Sequence, residues 1–295
     1  MGRGRAQTEV DKELFTMKGM KNMKFFLLFM FFMVSAVDRV AVAAPATELK
    51  PATLAAFNRY VTLTEARMAG EMSGASPFLW IDRQPDKSRA GLVARLKAGD
   101  VVSTKLETRD GTKAIDAPDG MIHHWVGTVL VPGVTLDRLM VFIKDYPRYP
   151  KHFGPMVKGL KVLKQTPDQY DIAMRTWTKK VITVVIDADY AITYRTLSPT
   201  RVTTANVASN LYEVEDAGTS SEKRTPVEKG AGYLWRINNY CWFDQRAEGV
   251  YEQCESVSLT RDIPFGFGWL IGPFVNSIPR ETLEFTLGRV RAGVR

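Results

Sequence analysis

Residues 134–163, VTLDRLMVFIKDYPRYPKHFGPMVKGLKVL, read as a helix, a short second helix opened by proline, and then a strand. That order bounds the architecture more tightly than any other part of the chain. Val134, Leu136, Leu139, Phe142 and Ile143 recur at the three-and-four spacing of a helix with one apolar face. Asp137 stands in the first turn, where the helix dipole favours negative charge, and Pro147 ends the run because it cannot donate a main-chain hydrogen bond. Tyr146 to Phe153 then turns the chain back on itself.

Downstream the pattern is extended. Candidate strands at 157–165, 169–178, 181–195, 200–214, 231–244 and 250–262 are broken by Thr166-Pro167-Asp168, Ser198-Pro199 and the polar run Asp216 to Gly230. Links of hairpin length imply an antiparallel meander. In the strand 181–195, Ile182, Val184, Ile186, Ala188, Tyr190, Ile192 and Tyr194 share one face, while Thr183, Asp187, Asp189, Thr193 and Arg195 share the other. The first set faces the core or a cavity. A last helix starts at about Ser277, with Ile278, Leu283, Leu287 and Val290 on one side.

The wording DYPRYPKHF, followed by a strand ending KVL, resembles the first helical pair of the START-like, or SRPBCC, lipid-binding superfamily. The likeness runs over residues 119–292. It implies an α+β helix-grip fold, a curved antiparallel sheet wrapped around one long C-terminal helix, here with an extra N-terminal helical region. It also implies a non-catalytic protein that binds a hydrophobic small molecule or lipid between sheet and helix. An enzyme of the polyketide cyclase and aromatase kind, and an envelope interaction module without a ligand, are the alternatives.

Upstream, residues 51–73 form a helix with the stripe Leu54, Phe57, Val61, Met68 and Met72, packed on the main domain or presented to a partner. A second helix, Asp86 to Ala98, carries Leu92, Val93 and Leu96 on one face and is capped by Gly99. Val101 to Thr108 and Met121 to Val131 are extended around a turn at Asp110-Gly111. The chain thus divides into residues 1–43, a helical extension at 44–99 and the START-like domain at 100–295.

Lys18, Lys21 and Lys24 precede the apolar run Phe25 to Val37, and Ala41-Val42-Ala43 offers the small residues a signal peptidase reads. The run is 13 residues, about 20 Å as a helix against a hydrocarbon core of about 30 Å, too short to span with ease. Export to the periplasm or beyond follows, with Met17, Met20 or Met23 a better start than Met1. Removal of residues 1–43 lowers the formal charge from +8 to +5. The remaining cations are spread without a cluster, which argues against nucleic acid and allows transient contact with anionic membranes.

Sites of chemistry are few. GxSxG, GxxxxGK[ST], HExxH and CxxC are absent. Adjacent His123 and His124 on a strand point to opposite faces and cannot share an ion, so no metal and no cofactor is expected. Tyr190 and Tyr194 on the core face, with Arg236, are the candidate ligand-binding or carbonyl-polarising residues. The segment FGFGWLIGPFV after Pro264 is dense in aromatic residues and glycine. It reads as a flexible turn or a gate, with Phe267 and Trp269 touching ligand or bilayer. A hairpin turning at Ala247-Glu248 sets Cys241 opposite Cys254, and an oxidising compartment joins them as a disulfide.

Overall fold

A computed structural model of the chain describes residues 47–180, 182–263 and 268–294, with 268–274 as main chain only. The chain runs through α1 (Pro51–Met72), α2 (Asp86–Ala98), β1 (Val102–Lys105), the small hairpin β2 (Arg109–Asp110) and β3 (Lys113–Ala114), and β4 (Gly120–Pro132). The helical pair α3 (Leu136–Ile143) and α4 (Tyr149–His152) follows. Then come β5 (Val157–Gln165), β6 (Gln169–Lys179), β7 (Thr183–Ser198), β8 (Arg201–Glu215), β9 (Lys223–Pro226), β10 (Arg236–Arg246), β11 (Gly249–Arg261) and α5 (Gly268–Gly293).

Thr135 caps α3 by accepting a hydrogen bond from the Arg138 amide at 3.3 Å, and Leu136, Leu139, Phe142 and Ile143 are buried as the spacing requires. Pro147 opens a 3-10 turn, Tyr146–Arg148, that leads into α4. The helical pair therefore stands where the quoted stretch puts it.

The nine-stranded sheet is antiparallel, in the order β1-β4-β11-β10-β8-β7-β6-β5, with β9 added beside β8. The meander expectation holds from β5 to β8 and across the β10–β11 hairpin, but β11 pairs next with β4, from Gly249↔Pro132 to Arg261↔Gly120. A last strand left as an edge would expose its ladder groups, and β4 satisfies them. On β7 the alternation is as read from Ile186 to Tyr194. Ile182 departs from it: it precedes β7, beyond the last ladder pair Lys179↔Thr183, and is 47% exposed.

The C-terminal helix α5 starts at Gly268, not at Ser277, so Gly268 to Val275 are helical rather than a loop. Gly and Pro read as breakers, yet Pro273 and Pro279 each remove only one main-chain donor from 26 residues. The helix crosses β1, β4 and β11. Gly127 permits the crossing, since a Cβ there would lie 2.7 Å from Leu287 Cδ1 and 3.1 Å from Leu283 Cδ2.

The opposite face of β4, β11 and β10 is covered by α1. Its buried residues are Thr53, Phe57, Tyr60, Thr64, Met68 and Glu71, a stripe rotated from the apolar one expected. Leu54, Val61 and Met72 are only partly buried. The helix meets polar groups on the sheet, so its inward side carries hydroxyls and a carboxylate. Covered on both sides, β11 is buried from Gly249 to Thr260 without alternation.

Candidate functional site

Residues paired directly across strands share a face, so the position of Gly127 beneath α5 fixes the inner face of the whole sheet. Gly127 pairs with Cys254, Cys254 with Cys241, Cys241 with Thr204 and Thr204 with Tyr194. The same parity brings in Val129, Val250, Glu252, Phe243, Asn239, Asn206, Ile192, Tyr190, Ile172 and Met174. Because α5 lies over the β1–β4–β11 side, the inner face of β10 and β8 is left incompletely covered. Asn239, Cys241 and Asn206, near the middle of the sheet, remain partly accessible.

Cys241 and Cys254 form a disulfide with a Cα separation of 4.1 Å, and the hairpin register is the one the turn dictates. Beside it lies Glu252, 2% exposed. Its carboxyl oxygen Oε2 has no hydrogen-bond partner. The other, Oε1, is 3.7 Å from Cys254 Sγ, a disulfide sulfur with no proton to give, so any hydrogen in that contact comes from the carboxyl itself. Burial without a compensating charge pushes Glu252 up to about 8, which keeps it protonated at neutral pH. Glu252 and the two sulfurs stand within 4.8 Å of one another. Joined sulfurs are not thiolates, so the trio as it stands is no metal site.

On the same face Asn206 Oδ1 also lacks a partner. Desolvation alone pushes Tyr190 up to about 12. Tyr194 differs, because its hydroxyl is 2.6 Å from that of Tyr146. Around that bond Tyr146, Tyr149, Tyr170 and Tyr194 stack with centroids 4.9–5.8 Å apart, under the Lys144 ammonium, 4.4 Å from the Tyr194 ring. Tyr149 donates to the Ile143 carbonyl at 2.6 Å. The cluster closes one end of the grip by tying α3 and α4 to β6 and β7.

The other candidates are dispersed. Arg236 pairs with Leu259 across the ladder and so lies on the outer face, where its guanidinium donates to Glu228 at 2.7 Å. Side chains alternate along a strand, and its even position is the wrong one for the cavity. It is not brought to Tyr190 and Tyr194. Phe267 lies outside the described residues, as does the side chain of Trp269.

The outer face holds a polar network that the sequence reading missed. Glu255 accepts from Arg67 at 2.5 Å and lies 3.0 Å from His124 Nε2. Tyr60 accepts from the Thr108 amide at 2.8 Å and reaches His124 Nδ1 at 3.0 Å, which leaves the Nε2 proton to point at Glu255. Burial alone would raise Glu255, but the hydrogen bond from His124 and the charge of Arg67 hold it below the usual range. Glu71 takes both Arg67 and Arg83. A cleft of about 640 Å³ opens beyond Glu71, lined also by Phe78, Asp82, Arg201, Asp244 and Arg246. Its charges are spent on one another, Arg201 on Asp244 and Arg246 on Asp82. His123, on the inner face, meets Thr260 at 3.1 Å, so the two histidines do point apart.

Glu252 is the candidate residue least visible in the sequence. Its only signal is that it shares the face of Cys254, two residues along, and nothing in the strand says which face is inward.

No protein-family model matches the chain, and no curated protein matches it. Among solved structures it is similar to a STAR-related lipid transfer protein from Xanthomonas axonopodis, at 18% identity and a TM-score of 0.41 over 65% of this chain and 98% of that one. The Zhui aromatase/cyclase from Streptomyces sp. R1128 has 12% identity and a TM-score of 0.41 over 59% and 94%. Human STARD10 has 10% and 0.39 over 72% and 82%. Likenesses of this size say nothing of ligand. The architecture of the chain itself, an antiparallel sheet with a helical pair before β5 and a long C-terminal helix across its inner face, is the START-like helix-grip fold.

Proposed function

We propose that the chain binds a hydrophobic small molecule or lipid between the inner face of the sheet and α5, without catalysis. The observation that carries this reading is the composition of that face. It is largely apolar over β6 and β7, partly accessible at Asn239, Cys241 and Asn206, and holds buried polar atoms without partners on Glu252 and Asn206. An apolar site with a few fixed polar groups is the usual design for small-molecule recognition. A merely structural interior would have those groups paired or replaced, because an unsatisfied buried polar group costs about 1–3 kcal/mol. Tyr190 is the ligand contact we favour from the sequence, Tyr194 a wall residue, and Phe267 and Trp269 contacts at the mouth.

The cyclase-like alternative requires Tyr190, Tyr194 and Arg236 around one carbonyl, and Arg236 on the far face weakens it. Residues 1–43 serve as an export signal in this reading, supported by their charge and apolar pattern and by a disulfide that needs an oxidising compartment. Among the described residues no helix is long and apolar enough to cross a membrane. Residues 44–99 brace the outer face of the domain at 100–295. Native mass spectrometry of the chain purified from its own host, followed by extraction, should reveal a stoichiometric apolar compound. A ligand-free chain that also takes up no apolar fluorophore would rule the reading out.

A further inference from the structure

The Glu252 carboxyl faces the inside of the grip. On β11 and β10 it is flanked by the disulfide, and across the ladder it meets Val129 and Phe243. Tyr149 from α4 and Tyr194 from β7 lie in the same interior, and burial above all holds both hydroxyls protonated far above the usual range. Their own hydrogen bonds go elsewhere, to Ile143 and Tyr146. The cations nearby are also committed. Lys144 donates to the Pro167 carbonyl and sits over Tyr194, Arg289 donates to the His152 carbonyl, and Arg291 donates to the Leu130 carbonyl. Asp145 is held by His152. Among the described residues no cation reaches Glu252. The neighbouring Cys241 is partly accessible.

An orphaned carboxyl in such a place has one hydrogen-bond donor and one acceptor to offer an incoming group. A hydroxyl or carbonyl can use them. A carboxylate would bring a second acid into a site with no compensating cation, and two acids so close cannot both ionise. We propose that Glu252 is the polar terminus of the binding site, and that the grip selects an apolar molecule whose polar end is an uncharged hydroxyl or carbonyl over one ending in a carboxylate. This rests on the binding reading above and names the ligand class for it.

The test uses the full chain at pH 7 with the uncharged fluorophore N-phenyl-1-naphthylamine as reporter, displaced in turn by 1-dodecanol, dodecanoate and dodecylamine. Dodecanol should compete at least about tenfold more strongly than dodecanoate, since one uncompensated charge is worth more than 1.4 kcal/mol. Glu252→Gln should narrow that ratio by strengthening dodecanoate, and Glu252→Met, which keeps length but removes both hydrogen-bonding atoms, should weaken dodecanol. A melting curve on each variant shows whether it folds, and the wild-type ratio decides the matter if neither does. Equal competition by alcohol and acid, or a ratio unmoved in folded variants, overturns the selectivity and leaves the binding reading standing. Strongest competition by dodecylamine overturns it in favour of a cation site. No fluorophore binding at all overturns both.

Discussion

Glu252 and Glu255 lie three residues apart on β11, both almost fully buried, and their surroundings make opposite groups of them. On the outer face Glu255 is met by Arg67 and, through His124, by Tyr60 and the Thr108 amide, so it stays ionised. On the inner face Glu252 lies beside the disulfide and Phe243 with its Oε2 left without a partner, so it holds its proton to about 8. The contrast shows that burial alone fixes neither the charge nor the use of a carboxyl. A paired acid ties α1 to the sheet, whereas the unpaired one is the group we propose a ligand meets.

The strongest way to break this contrast is to make the outer acid resemble the inner one. Arg67→Ala should cost about 3 kcal/mol in denaturant unfolding, the low end for breaking a buried pair, because the Arg67 side chain is 35% exposed. A loss below 1 kcal/mol would show that Glu255 does not depend on its partner. Next in size is the covalent support of the inner face. Replacing Cys241 and Cys254 together by alanine should cost about 2–3 kcal/mol, as expected for a short loop, and should widen the space beside Glu252. An unchanged midpoint would place the stability of this hairpin in its neighbours β4 and β8 alone.

The contrast sharpens further with pH. Below an ordinary glutamate value near 4.5, Glu252 is protonated in folded and unfolded chains alike and adds no slope. Between there and about 8 the unfolded chain releases a proton that the folded one keeps, so stability falls as pH rises, by about 1.4 kcal/mol per unit at the steepest. Glu255, held low, acts in the opposite sense: its contribution is present above the ordinary value and lost as pH falls through its folded value. Unfolding at pH 5, 6.5 and 8 should therefore show a downward limb that Glu252→Gln removes. Parallel curves for the two proteins would mean that Glu252 reaches water or a partner.

What the residues determined unaided was whatever depends on neighbours in sequence. The spacing of Leu136, Leu139 and Phe142 sets α3, the period of two sets β7 from Ile186 to Tyr194, and a two-residue turn at Ala247-Glu248 sets the register that joins Cys241 to Cys254. Each is local, so the helix and strand periods suffice to read it. Tertiary structure alone decided the rest. The rotated stripe of α1 became intelligible only once Tyr60, Thr64 and Glu71 were seen against polar groups contributed from distant strands and loops. Arg236 could be assigned to the outer face only after Gly127 was seen under α5, because a strand's alternation says which residues agree and never which side is in. Glu252 is the clearest case, since a glutamate between Tyr251 and Gln253 reads as solvent-facing until both faces of its strand are covered. Long-range packing supplies that cover, and no period in the sequence encodes it.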